Sequence, residues 1–197
     1  MRYPAYLEVG PTGHAIAYVF SLPGLSVRAR RAEEALAALP AAIASELARL
    51  DLPADPTVEV SESERVDVRS DVENGVSTAT FKYELRATRD EDVALALDRM
   101  ERARAEMASA DDEAWRALGD TEWFLLSRLA ERPVLSWSDD VRERFAAIRA
   151  STVQRLTHLL PGDRERHAVL GGEIWTTRKV LRRLACNARD AALACVR

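Results

Sequence analysis

The chain is poor in the residues that most site chemistry needs. Of its 197 residues, 3 are histidine and 2 are cysteine. Two cysteines cannot build a disulfide scaffold. Cys186 and Cys195 lie nine apart in what reads as one helix, so they point to opposite faces and cannot bond each other there. No Gly-x-Gly-x-x-Gly, P-loop, Cys-x-x-Cys or Gly-x-Ser-x-Gly occurs, and Gly10-Pro11-Thr12-Gly13 and Gly171-Gly172 are ordinary loop glycines. Aromatic residues are 6% and form no basic-aromatic platform for single-stranded nucleic acid. A net charge of -4 and a pI near 5.5 argue against whole-molecule attraction to nucleic acid. No apolar run approaches the roughly 18 residues needed to cross a bilayer. The start, MRYPAYLEVG, lacks the basic segment, apolar core and cleavage site of a signal peptide, so a cytoplasmic location is expected. Lysine is nearly missing, with 28 Lys and Arg together of which only Lys82 and Lys179 are lysine. With the abundant alanine, this bias suggests a GC-rich bacterial genome.

What is present is a globular composition, 47% hydrophobic and 30% charged. Residues 1–56 read as strand, strand, turn, strand, helix. Tyr3–Val9 and His14–Phe20 are apolar or branched runs separated by turn chemistry. Leu22-Pro23-Gly24 is a second turn, and residues 25–30 alternate apolar and polar. Ala35, Leu36, Leu39, Ile43, Leu47 and Leu50 then recur at helical spacing. Pro40 interrupts them, and an interior proline costs about 3 kcal/mol, so a kink or break is expected there. Residues 57–88 read as a connection containing a strand at Thr57–Val60 and a hairpin, Val66–Val72 and Val76–Leu85, turning at Asn74-Gly75. A linker with a single strand is the alternative.

From residue 89 the pattern is helical, over about 90–107, 111–131, 139–160 and 176–196. Asp90, Asp111 or Asp112, Ser138 and Thr176 are candidate N-caps, and Pro133 and Pro161-Gly162 are breaks. Four amphipathic helices of similar length imply an up-and-down four-helix bundle over 89–197, so the fold class is α+β. The last helix concentrates Arg178, Lys179, Arg182, Arg183, Arg189 and Arg197 against one acid, Asp190. That face could bind an anion or could simply be solvated. Glu122 falls on the apolar stripe Trp115, Leu118, Leu125, Leu129. It is expected to point inward and pair with Arg183 or Asn187, or else to reach solvent.

Tyr3-Pro4-Ala5, the Leu22-Pro23-Gly24 turn and Glu33-Glu34-Ala35-Leu36 resemble a HicB-like domain. Leu25 stands where that family has cysteine, and Arg31 where it has a capping Ser or Thr. The resemblance covers about a quarter of the chain and implies a small β-α module. Such modules occur in antitoxins that pair with ribonuclease toxins, but the DNA-binding segment that usually follows is missing here. Leu118–Leu129 and Glu173–Arg183, the latter containing Trp175-Thr176-Thr177-Arg178-Lys179, resemble a DinB-like bundle. That family typically holds a divalent metal with three histidines, one on its second helix and a His-x-x-x-His pair on its fourth. The resemblance places these positions at Ala117, Asn187 and Ala191, none of which is histidine.

His14, His158 and His167 lie elsewhere. A His158–His167 site, or a replacement set of Cys186, Asn187 and Asp190 with His167 nearby, would be needed to restore a metal. No cofactor is therefore expected. The implied function is a non-catalytic binding or interaction protein that has lost the bundle metal site. The alternatives are a DinB-type metal- or thiol-dependent transferase or hydrolase, and an antitoxin-like partner of a toxin. Partners compatible with these readings are a second copy of the chain, a small molecule held in the bundle, and a toxin on the N-terminal resemblance alone. Neither nucleic acid nor membrane is expected.

Overall fold

The computed structural model describes residues 1–55, 57–129 and 138–195. The expected break at Pro133, together with Trp137 and Arg197, lies outside them. The described residues form a mixed α and β chain. It has a four-stranded sheet, a separate two-stranded hairpin and six α-helices, one of them a single turn. No helix among the described residues is long and apolar enough to cross a membrane. The chain divides into two compact units, Met1–Lys82 and Tyr83–Arg197.

The first unit orders its strands β3-β2-β1-β4, with β1 at Arg2–Val9, β2 at Ala15–Tyr18, β3 at Ser26–Ala29 and β4 at Glu59–Asp67. β1–β2 and β2–β3 are antiparallel, and β4 runs parallel to β1 on its other side. Helix α1, Ala32–Arg49, connects β3 to β4 and covers one sheet face. Tyr3, Ala5 and Leu7 alternate toward it and meet Ala35, Leu39, Ile43 and Leu47 in one apolar core. Pro40 does not break α1. Alanine-rich flanks favour helix, and Leu39, Ile43 and Leu47 are buried on both sides of the proline, which offsets the lost backbone bond. At Leu22-Pro23-Gly24-Leu25 the Leu25 N–H donates to the Leu22 carbonyl at 2.9 Å, and Gly24 has φ 94°. That is a type II turn, with proline and glycine where its backbone needs them.

The expected hairpin does not form. Asn74-Gly75 does turn the chain, with the Gly75 N–H on the Val72 carbonyl and φ 80°. The residues after it, however, pair with a side chain and not with a strand. Glu8 is fully buried on the sheet face opposite α1. Its carboxylate accepts from the Thr78 N–H at 2.6 Å, the Ala79 N–H at 2.9 Å, the Ser77 hydroxyl at 2.7 Å and the Tyr18 hydroxyl at 3.2 Å. The Lys82 N–H goes to the Glu64 carboxylate. Phe81, also fully buried, packs edge-on against Tyr6, Tyr18 and Phe20. Residues 57–82 are thus part of the first unit, where the sequence suggested a connection running to residue 88.

In the second unit four long helices share one core: α2 at Asp90–Glu106, α3 at Asp112–Leu126, α4 at Val141–Thr157 and α6 at Thr177–Cys195. α2 packs on α6, α6 on α3, α3 on α4, and α4 on α2. Asp111 caps α3 through the Ala114 N–H, and Asp140, not Ser138, caps α4. At α2, Arg89 is the N-cap, and its N–H donates to Asp92 at 2.8 Å. Before α6 come a short helix α5, Pro161–Arg164, and the hairpin β5–β6, His167–Leu170 with Glu173–Thr176. The hairpin stands where the sequence pattern predicts a loop. Its Gly171-Gly172 turn, with both residues at positive φ, is the signal that was available.

Replacing Glu8 with Ala strands the buried Ala79 N–H and the half-buried Thr78 N–H and is expected to cost about 3 kcal/mol. Hydrogen exchange is the check: the Thr78 and Ala79 amides should lose their protection in the variant. Retained protection would show that Glu8 does not hold this segment.

Candidate functional site

The N-terminal half of α3 and the C-terminal half of α6 face each other across an open cleft of about 560 Å³. That volume falls within the roughly 300–1,000 Å³ range of small-ligand sites. Ala114, Ala117, Leu118 and Thr121 from α3 line it, opposite Asn187, Ala191, Ala194 and Cys195 from α6. The spacings i, i+3, i+4 and i+7 on α3, and i, i+4, i+7 and i+8 on α6, each put their set on one helical face. Ser109, Ala110 and Asp111, from the short α2–α3 connection, close one end. The cleft exists because alanines stand where larger side chains would fill the space between two helix axes.

The three positions singled out from the sequence, Ala117, Asn187 and Ala191, all line this cleft. Their side chains do not fit a divalent metal. Two alanines offer no donor atom, and a single amide oxygen is a weak ligand for zinc or nickel. Among the described residues no three His, Cys, Asp or Glu side chains cluster as a metal site. The histidines are committed elsewhere. His158 Nδ1 lies 2.8 Å from the Gln154 carbonyl at the end of α4. His167 Nε2 lies 3.0 Å from the Leu85 carbonyl, and His14 Nδ1 lies 2.9 Å from the Thr12 hydroxyl. Cys186 is buried, while Cys195 lines the cleft with its thiol donating to the Ala191 carbonyl at 3.2 Å.

The basic start of α6 is not a solvated face, because its cations meet carboxylates of the same unit. Lys179 has no solvent exposure; its Nζ pairs with Glu173 at 2.6 Å and donates to the Ile174 carbonyl at 3.0 Å. Arg182 Nε donates to Glu84 at 2.7 Å, with both residues buried. Arg178 pairs with Asp92 at 2.6 Å, donates to the Ala87 carbonyl at 2.8 Å and covers the Tyr83 ring. Arg183 lies 3.6 Å from Glu173 and over Trp175. The carboxylates come from the chain before α2, from α2 itself and from the β5–β6 hairpin. The Trp175–Arg183 stretch therefore holds those segments together. Burial pushes the Lys179 ammonium below its ordinary value, and Glu173 opposes that shift only in part.

Glu122 does point inward, as its stripe suggested, but its partner is not Arg183. It is 2% exposed and meets Arg149 of α4, whose Nη1 lies 3.4 Å from both carboxylate oxygens and from the Met100 sulfur. Glu122 sits on the α3 face turned to α4, whereas Arg183 and Asn187 belong to faces of α6 directed at the hairpin and at the cleft. Arg149 shares a helical face with Phe145, Thr152 and Leu156 and is buried with them, and that i, i+4 spacing from Phe145 is the one signal the sequence holds for it. Burial pushes the Glu122 carboxyl above the usual carboxylate range. Arg149 and the Thr152 hydroxyl pull the other way without cancelling it.

Comparison with known proteins finds no matching family model, no matching curated protein and no matching solved structure.

The raised Glu122 pKa has a definite sign in stability. The folded state holds this proton more tightly than the unfolded chain, whose value is near 4.5. The resulting stabilisation is complete below that value and is lost as pH rises through the folded one. The melting temperature of the native protein, relative to that of Glu122→Gln, is therefore expected to rise as pH falls from 7 toward 4.5. A difference independent of pH would remove the buried carboxyl from the account.

Proposed function

We propose that this chain is a bacterial small-molecule-binding protein without catalytic metal, in which a DinB-like up-and-down four-helix bundle follows a HicB-like module. One observation carries the reading. The three positions that the sequence resemblance assigned to metal ligands line a single cleft, and there they are alanine, asparagine and alanine. A pocket stripped of ligating side chains but kept open suits binding better than metal chemistry. The short α2–α3 connection, whose Ser109 and Ala110 wall the cleft, belongs to the same reading. The buried ion pairs at the start of α6 supply the rigidity a preformed pocket needs.

The reading is tested by rebuilding the lost site. The variant Ala117→His, Asn187→His, Ala191→His is expected to take up one zinc or nickel ion per chain, measured by elemental analysis after desalting, while the native protein takes up none. Failure of the variant to bind metal, with its helical circular dichroism intact, would show that the positions do not converge as a DinB-like bundle requires. Stoichiometric metal on the native protein would overturn the non-metal reading directly.

A further inference from the structure

We propose that the α3–α6 cleft selects an aliphatic primary amine: an ammonium group held at Asp111, with its hydrocarbon body lying along the alanine face. This rests on the small-molecule reading above and adds the ligand's chemical class. Among the described residues, Asp111 is the only formally charged side chain that lines the cleft. Its Oδ1 caps α3 through the Ala114 N–H at 2.8 Å, which leaves Oδ2 to accept from a ligand. The positive end of the α3 dipole amounts to about half a charge, so a full carboxylate outweighs it.

No lysine, arginine or histidine among the described residues lines the cleft. A carboxylate or phosphate ligand would find no countercharge among the lining side chains and would face Asp111. The nearby Arg142 is already engaged, donating to the Ala110 carbonyl at 2.7 Å, lying 3.7 Å from Asp112 and resting on the Trp115 ring. No aromatic side chain among the described residues lines it either, and these residues form no cage of the kind that recognises quaternary ammonium groups. What it offers beside Asp111 is a wall of Ala110, Ala114, Ala117, Leu118, Ala191 and Ala194, with Asn187 and Thr121 as neutral hydrogen-bonding groups. An N–H-bearing cation with an apolar tail satisfies both parts. Alanine walls keep the tail in contact with apolar carbon, and the carboxylate accepts a charge-assisted hydrogen bond.

The test compares three probes of matched length, hexylamine, hexanol and hexanoate, on the full chain at pH 7. Titration by 1H–15N NMR reports both affinity and location. Hexylamine is expected to shift the amides of α3 and α6 around the cleft and to bind at least fivefold more tightly than hexanol, with hexanoate weakest. Asp111→Asn keeps a good N-cap residue and should bring hexylamine down to the affinity of hexanol. Ala117→Trp, at an exposed position, should fill the cleft and abolish binding of all three. Hexanoate binding as tightly as hexylamine, or an amine preference that survives Asp111→Asn, would overturn the amine assignment while leaving the binding reading intact. If none of the three probes shifts the cleft amides, the small-molecule reading itself falls.

Discussion

A lysine with no solvent exposure and two arginines nearly as buried occupy the first turns of α6, and the second unit is organised around them. An unpaired charge in that position would cost several kcal/mol, so each cation must have a carboxylate brought to it. Glu84 comes from the chain before α2, Asp92 from α2 and Glu173 from the hairpin that leads into α6. Satisfying α6 therefore requires three separate segments to be in place at once. Such pairs contribute little net stability over an apolar core, but they penalise every arrangement in which a partner is missing. The cleft between α3 and α6 inherits its definition from this arrangement, because the end of α6 that lines it is fixed by the end that is not.

The first unit meets the same constraint with one residue. Glu8 sits on a strand whose apolar neighbours face α1, so its carboxylate is directed at the opposite sheet face. There it recruits two backbone amides and two hydroxyls from the strand beside it and from residues 77–79. Those amides would otherwise belong to a hairpin strand. A buried acceptor with several lone-pair sites outcompetes a marginal two-stranded ladder. The same geometry seats Phe81 against Tyr6, Tyr18 and Phe20 and gives the sheet a second covered face.

The proposed function rests on what the second unit leaves open. Elsewhere in the second unit, space between helices is filled by leucine, methionine, tryptophan and paired charge. Between α3 and α6 it is bounded by alanine, with polar groups at Asn187, Thr121 and Asp111. In the proposed binding role, the single negative charge among the described lining residues and the apolar wall would select by ligand charge before shape. The buried Glu122–Arg149 pair lies on the other side of α3, facing α4, and supports the helix that carries one wall of the cleft.

Local periodicity placed the long helices, but neither the continuity of α1 through Pro40 nor the single-turn α5 at Pro161. Trp115, Leu118 and Leu125 mark the buried face of α3, and the Leu22-Pro23-Gly24 turn reads directly because glycine alone adopts its third backbone angle without strain. Ala117, Asn187 and Ala191 are reached through the family resemblance alone, and that they line one cleft is visible only in the tertiary structure. Periodicity also put Glu122 on the inward stripe, while leaving open whether its carboxylate reaches solvent. It could not show that Arg149 waits there and Arg183 does not, since the face opposite Glu122 belongs to a helix whose rotation is set by every other contact in the core. The same reason hid the fate of Asn74-Gly75, which turns as its residues demand but is followed by amides that a carboxylate 70 residues away claims first. Residue type and spacing determined which face of each element is buried. Only the tertiary packing decided what each buried polar group would meet, because a charge inside a protein takes the partner that the whole fold delivers to it.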